Sequence, residues 1–375
     1  MVTVGINAHL LFGGAGYRRA GIHHYIEQLL RHLPIDSQIR YTVWAGREGG
    51  LPPTPGLTIR ASRWPTHYPP VRIVWEQAVW PWAARREGVD ILHSMAFVTP
   101  VLSGLPSLVT VYDLSFVHFP ERFPAAKRLY LRTQARRSCR RARRVITISE
   151  ATRRDIHDYF DIPWERIAVV RPGVDETFRP RSQEEVAAFR ARVQAPARFI
   201  LHVGTLQPRK NLLTLLEAFG RIQDPHLTLV LVGGKGWLYE EIFQRIQQLG
   251  LHKRVLLTGY VPDEDLPLWY NAADLLVFPS IYEGFGLPVA QAMACGAPVI
   301  AADTSSIPEV VGEAAYLFDP LDVTALTEAI RQVLAEAPLS AELRSRGLAR
   351  AREFSWHNSA VALAAIYHQV AVEGL

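Results

Sequence analysis

An alternation that runs through this chain twice limits its fold more than any other feature: short runs rich in β-branched residues, each followed by a longer stretch with helical spacing. Parallel strands need a crossover long enough to hold a helix, so this pattern calls for parallel sheets covered by helices. In the first half, strands are expected at 2–7, 40–44, 90–93, 107–112 and 144–148, with helices including 21–33 and 125–143. In the second half they are expected at 199–203, 227–232, 254–258, 274–278, 298–301 and 315–318. The length of 375 residues suits two doubly wound α/β domains, here 1–172 and 173–355. They part at Arg171-Pro172-Gly173-Val174-Asp175, and a polar helix over 182–192 follows. The helix 356–375 either stays with the second domain or crosses back to the first. Open parallel sheets present the carboxyl ends of their strands to ligands, so a binding cleft is expected where the two domains face each other.

Composition removes several classes of protein. Hydrophobic residues make up 49% of the chain and charged ones 21%, the profile of a packed protein. The two cysteines, Cys139 and Cys295, lie one in each half and exclude a disulfide framework or a cysteine metal cluster. Two stretches lack charge over 91–112 and 284–302, but both are broken by Pro and Gly and read as strand, turn and helix. No basic residue precedes Arg18, which argues against a signal peptide, and a cytoplasmic location is expected.

The net charge of +5 is concentrated over 127–144, where Lys127, Arg128, Arg132, Arg136, Arg137, Arg140, Arg141, Arg143 and Arg144 meet no acid. Peripheral contact with an anionic membrane face, or with a phosphorylated acceptor, is one reading, and a solvated arginine-rich helix is the other. No recognition helix or aromatic-studded strand accompanies the charge, so a nucleic-acid partner is not expected.

Two segments carry chemistry. In the first, a strand ends at Phe278, Glu283-Gly284-Phe285-Gly286 turn, and a helix starts near Leu287-Pro288. Proline at the first turn of a helix loses no hydrogen bond, and the free N–H groups of that helix end suit an anion such as a diphosphate. Gly284 and Gly286 allow close approach, and a carboxylate at the rim, Glu283, accepts hydrogen bonds from sugar hydroxyls. In the second segment, Gly204 and Thr205 follow a strand, and Arg209 and Lys210 precede a helix. Cations at a helix N-terminus are disfavoured by its dipole, so a bound polyanion is the economical explanation for the pair.

Together these segments resemble the retaining nucleotide-sugar glycosyltransferases of the GT-B fold, the group-1 class known as glycosyltransferase family 4. The resemblance spans nearly the whole chain and includes the loop Gly13-Gly14-Ala15-Gly16-Tyr17-Arg18-Arg19-Ala20-Gly21-Ile22. It also includes Thr147-Ile148-Ser149-Glu150, Val170-Arg171-Pro172-Gly173-Val174-Asp175, Pro208-Arg209-Lys210-Asn211 and the Glu283 loop. It implies two Rossmann-like domains and a nucleotide diphosphate sugar, GDP- or UDP-linked, as donor substrate. No cofactor or metal is implied, and the acceptor is a hydroxyl of a glycan or lipid-linked chain. By the same resemblance Glu283 holds hydroxyls of the donor hexose, the backbone of Gly284, Phe285, Gly286 and Leu287 meets sugar and diphosphate, and Arg209 and Lys210 neutralise the leaving group. Gly16 and Gly21 belong to a loop over the donor phosphates, and Tyr260 and Val261 frame the base.

The chain departs from the family pattern at three places. Gln291 stands where a second glutamate is usual, Thr205 where many relatives have arginine, and Tyr112-Asp113 where a His-Asp or His-Glu pair is common. The catalytic assignments are therefore Asp113, orienting the acceptor, with Glu283, Arg209 and Lys210; His118 is an additional candidate that reads more readily as a packed core residue. Asp263 is expected to cap a helix rather than bind metal, and Gly233-Gly234-Lys235-Gly236 to form a glycine turn near the donor. The expected reaction moves a hexose, with mannose the first choice, in polysaccharide or glycolipid assembly. The alternatives are a nucleotide-sugar epimerase on the same fold and a non-catalytic nucleotide-sugar-binding relative.

Overall fold

A computed structural model describes residues 1–11, 21–35, 38–46 and 50–374. The chain divides into two compact units, Met1–Gly173 with Trp356–Leu375, and Val174–Ser355. Each is built on one sheet whose strand pairs are all parallel.

In the first unit the strands are β1 (Val2–Ala8), β2 (Ile39–Ala45), β3 (Leu57–Ala61), β4 (Ile91–Ser94), β5 (Ser107–Val111), β6 (Arg144–Thr147) and β7 (Ile167–Val169). Their order is β3-β2-β1-β4-β5-β6-β7, so the winding reverses between β1 and β4. Two of these strands were not expected from the sequence, β3 and β7. Both are sheet edges, hydrogen-bonded on one side only, and β3 ends on two exposed residues. An edge strand needs no continuous apolar run and leaves little trace in the sequence. The expected strands are all present, shifted at their ends by at most about two residues.

The core of this unit is packed by Val109, Val111, Phe116, Ala135, Cys139 and Phe160 among others. The last helix, Trp356–Gly374, is fastened to it. His93 Nδ1 lies 2.6 Å from the Tyr367 hydroxyl, Ser359 Oγ donates to the Arg171 carbonyl at 2.5 Å, and Arg144 pairs with Glu373 at 2.6 Å. His93 is buried, which holds its imidazole down at about 3 and therefore neutral. The basic helix runs over Ala125–Arg141. Arg136 and Arg140 share Asp161 at 2.5 and 3.0 Å. Lys127, Arg132, Arg137 and Arg141 are exposed and make no ion pair among the described residues. Of the four neighbouring tryptophans, Trp75 and Trp80 are core, whereas Trp64 and Trp82 are 41% and 58% exposed.

In the second unit the strands are β8 (Arg198–Val203), β9 (Leu227–Val232), β10 (Val255–Gly259), β11 (Leu275–Phe278), β12 (Val299–Ala302) and β13 (Tyr316–Phe318). The order β10-β9-β8-β11-β12-β13 reverses between β8 and β11. Leu215, Phe219, Leu229, Ile300 and Ile330 belong to its core. The polar helix forms at Gln183–Val193, where Ser182 and Glu185 complete a reciprocal cap. Among the described residues no helix is long and apolar enough to cross a membrane.

Candidate active site

The site grows from the reversal between β8 and β11, which pair directly through Ile200–Leu275 and Leu201–Leu276. Both chains therefore leave the same end of the sheet, at the point where open parallel sheets bind ligands. After β8 the chain passes Gly204 and Thr205, makes the short 3-10 turn Pro208–Lys210 and enters the helix Leu212–Gly220. After β11 it turns through Glu283 and Gly284 and enters the eight-residue helix Leu287–Ala294, with proline in its first turn. The two loops are stitched together by the Ile281 N–H, which donates to the Arg209 carbonyl at 3.1 Å.

Glu283 is the centre. Its Oε2 accepts from Arg209 Nη1 at 2.7 Å and its Oε1 from Lys210 Nζ at 2.6 Å. Arg209 also donates to the Tyr282 carbonyl at 2.8 Å, and the Lys210 ammonium sits 4.8 Å over the Phe278 ring. The carboxylate is 7% exposed. Burial alone would raise its carboxyl; Arg209, then Lys210, outweigh burial and hold it at about 2. Two cations thus meet one carboxylate in the loops that lead into two helices, an arrangement whose electrostatics suit an anion.

The loop is braced from β12. The Glu283 N–H donates to Ser305 Oγ at 3.2 Å, and that hydroxyl donates back to the Glu283 carbonyl at 2.7 Å. Ser306 Oγ reaches the carbonyls of Glu283 and Phe285 at 3.0 and 2.9 Å. Gly286 must be glycine: its φ is +101°, and a Cβ would stand 2.6 Å from Ile307 Cδ1. Ser305, Ser306 and His202 are participants that the sequence reading missed. His202, the penultimate residue of β8, stacks on Phe278, and its buried Nε2 has no hydrogen-bond partner. Burial, then Lys210, holds its imidazole down at about 3, so it is neutral. A histidine inside an otherwise apolar strand, just before Gly204, was the available signal.

The remaining candidates fall around this centre or away from it. Leu206, which follows Gly204 and Thr205, is laced to the glycine turn: its N–H donates to the Gly234 carbonyl and its carbonyl accepts from the Gly236 N–H, both at 2.9 Å. A Cβ on Gly233 would lie 2.1 Å from the Gly204 carbonyl oxygen, so these glycines serve loop packing. Lys235 spends its ammonium over Tyr239 and Phe243 at 5.0 and 5.3 Å. Gln291 accepts from the Tyr270 hydroxyl at 3.2 Å. Gly284 and Phe285 are buried and Leu287 half-buried, with the Phe285 ring edge-on to Phe354. Tyr260 is exposed, and its hydroxyl donates to Asp263 at 2.8 Å; Val261, next to it, is half-buried.

That contact corrects the expectation for Asp263, which does not cap the helix. Asp265 precedes Leu266–Ala272 and makes no side-chain cap, because Arg192 holds its carboxylate at 2.5 and 3.2 Å. Among the described residues no three His, Cys, Asp or Glu side chains are grouped as metal ligands.

In the first unit, Asp113 is half-buried and accepts from the Ser115 N–H at 2.9 Å. His118 is not the packed core residue expected: its Nε2 lies 2.9 Å from Asp155, with both side chains partly exposed. Tyr112, by contrast, is core; its hydroxyl donates to the Met95 carbonyl at 2.6 Å. Gly21, at φ +65°, precedes the helix Ile22–His32, and Gly16 lies outside the described residues.

Two parallel-sheet units of Rossmann type, the second with Glu283 held between Arg209 and Lys210 at its reversal point, define a GT-B architecture. The family described as Glycosyl transferases group 1 matches residues 185–350, and Glycosyltransferase Family 4 matches residues 19–178. The chain is 36% identical over 285 residues to O-antigen chain mannosyltransferase B of Escherichia coli, covering 74% of each. It therefore belongs to the group 1, family 4 glycosyltransferases. Among solved structures it is similar to a sucrose-phosphate synthase from Thermosynechococcus elongatus, with TM-score 0.79, 23% identity and 100% of both chains covered. It is also similar to HepE of Anabaena in complex with UDP-glucose, with TM-score 0.76, 20% identity, and 98% of this chain and 100% of that one covered. At those identities the solved structures speak to the fold.

Proposed function

We propose that this glycosyltransferase moves mannose, with retention and without a metal, from GDP-mannose to a hydroxyl of a growing cell-surface glycan. The observation that carries the donor site is Glu283 held between Arg209 and Lys210 at the head of helix Leu287–Ala294. The choice of mannose is supported by the similarity to O-antigen chain mannosyltransferase B.

On this reading the diphosphate meets Arg209, Lys210 and the N–H groups of Gly286 and Leu287, and draws the cations partly off Glu283. The freed carboxylate then accepts hydroxyls of the hexose. The acceptor oxygen bonds to the anomeric carbon as the bond to the diphosphate breaks. The diphosphate leaves with its negative charge stabilised by Arg209 and Lys210, and its oxygen takes the acceptor proton. No enzyme nucleophile is needed, and Asp113 orients the acceptor. Gly204, Thr205, Tyr260, Val261 and Gln291 line the nucleotide, with Gln291 replacing a carboxylate by an amide that both donates and accepts. The exposed cations of helix Ala125–Arg141 hold the protein against an anionic membrane face, from the cytosol.

Thermal stabilisation across GDP, UDP, ADP, dTDP and their sugars, with and without magnesium, tests the donor assignment, because a ligand of the native state raises Tm by mass action. A magnesium-independent shift confined to GDP and GDP-mannose is expected. A shift with another nucleotide family replaces the donor, and no shift with any of them overturns the site.

A further inference from the structure

The first unit carries a second, half-buried carboxylate at its own reversal point. Asn7 and Ser94 are register partners on β1 and β4, the two strands between which the winding turns back. The helical segment over 69–86 lies against this end of the sheet. Its middle is a five-residue π-helical turn, Trp75–Val79, between two α-helical pieces. Such turns distort a helix and recur at functional sites. This one carries Glu76, whose Oε1 accepts from Asn7 Nδ2 at 3.2 Å, while the Arg72 guanidinium stands off at 3.9 Å.

The cluster is incompletely satisfied. Among the described residues Ser94 Oγ and His9 Nε2 are buried without hydrogen-bond partners, although His9 is fixed by its other nitrogen, 2.8 Å from Thr66 Oγ1, and by the Trp75 ring at 3.8 Å. Leaving a buried polar atom unpaired costs on the order of 1–3 kcal/mol, so two such atoms beside a loosely held carboxylate describe a site short of its partners. Burial pushes the Glu76 carboxyl up to about 7, more than Arg72 and Asn7 pull it down. His9, lowered to about 3 by burial and then by Arg72, stays neutral. Above about pH 7, where Glu76 is ionised, it offsets Arg72 and the cluster carries no surplus positive charge for a phosphate; its acceptors and donors suit hydroxyls.

We infer that Glu76, backed by Asn7 and Arg72 and flanked by His9 and Ser94, is the subsite that takes hydroxyls of an uncharged sugar as acceptor. Glu76 keeps 14% of its side chain exposed and Arg72 28%, whereas His9 and Ser94 are 6% and 1% exposed, so a ligand reaches the cluster from its Arg72–Glu76 side. The inference deepens the glycosyltransferase reading: it selects a neutral glycan end over a sugar phosphate.

Saturation-transfer NMR of the full chain tests it, using methyl glycosides of mannose, glucose and galactose as probes against their 6-phosphates. The wild type is expected to bind at least one neutral glycoside, its 6-phosphate at least tenfold more weakly, and Glu76→Gln is expected to weaken the neutral ligand about tenfold. The nucleotide-induced Tm shift should be unchanged in Glu76→Gln, which also shows that the variant is folded. Binding of the phosphates in preference, binding of neither class, or equal binding by Glu76→Gln would overturn the subsite. A missing nucleotide shift in the wild type would instead sink the donor reading and leave the sugar result standing.

Discussion

Two glutamates, Glu283 buried and Glu76 half-buried, sit at the reversal points of the two sheets and end in opposite states. Glu283 has both oxygens taken by cations within 2.7 Å and its carboxyl is held at about 2. Glu76 has one amide at 3.2 Å and a guanidinium at 3.9 Å, and its carboxyl rises to about 7. Burial pushes both the same way, and the outcome is set by whether a cation reaches hydrogen-bond distance. One carboxylate is locked as an anion between its partners; the other stands near its titration point with its cation 3.9 Å away.

A large effect should come from Lys210→Ala. It removes one of two cations from a buried pair and is expected to lower kcat/KM by 100-fold or more, on the order of what one strong transition-state contact supplies. Steady-state kinetics with the donor varied checks this, and a loss under threefold would show that the clamp does not serve the leaving group. Glu283→Ala should abolish turnover and lower stability by about 3 kcal/mol, because it removes the carboxylate paired with buried Lys210 and half-buried Arg209. GDP alone should then stabilise this variant more than the wild type, since Glu283 no longer competes for the cations; equal Tm shifts would break that expectation.

The two carboxylates should also differ in pH dependence. Glu283 is lowered, so its stabilisation is present above about 4.5, the ordinary value, and is lost as pH falls towards about 2. Glu76 is raised, so the folded state holds a proton that the unfolded chain has released, and stability falls as pH climbs from about 4.5 to about 7. Glu76→Gln should therefore gain on the wild type across that window by about 2–3 kcal/mol. Denaturant unfolding at pH 5 and pH 8 measures the gain, and parallel curves would mean that Glu76 is already satisfied. Gly286→Ala should cost about 1–3 kcal/mol through its φ and the Ile307 contact, and raise the donor KM. The smallest effect belongs to Arg137→Glu on the basic helix, with stability changed by about 0.5 kcal/mol or less. Flotation with anionic vesicles would report any loss of membrane contact.

Much of this was legible in one dimension. Runs such as Val2–Ala8 and Leu227–Val232 are apolar because both faces are covered, and that burial writes strand and crossover directly into the residue pattern. The donor loops were legible for a related reason. Proline after Leu287 and glycine at 286 answer local backbone demands that few other residues meet, and Arg209 and Lys210 are conspicuous before a helix. The edge strands Leu57–Ala61 and Ile167–Val169 were not legible, because pairing on one side imposes no such pattern.

Only the tertiary structure decided which charges meet. Arg209 and Glu283 are 74 positions apart, and Asn7 and Glu76 are 69 apart; no local rule joins them. The same holds for Tyr112, which occupies a conspicuous position yet points into the core, and for His118, which meets Asp155 on another helix. Residue type and spacing determine backbone conformation over a few residues. The state of a buried carboxylate depends on distances of about 3 Å between segments far apart in the chain, and folding alone sets those distances.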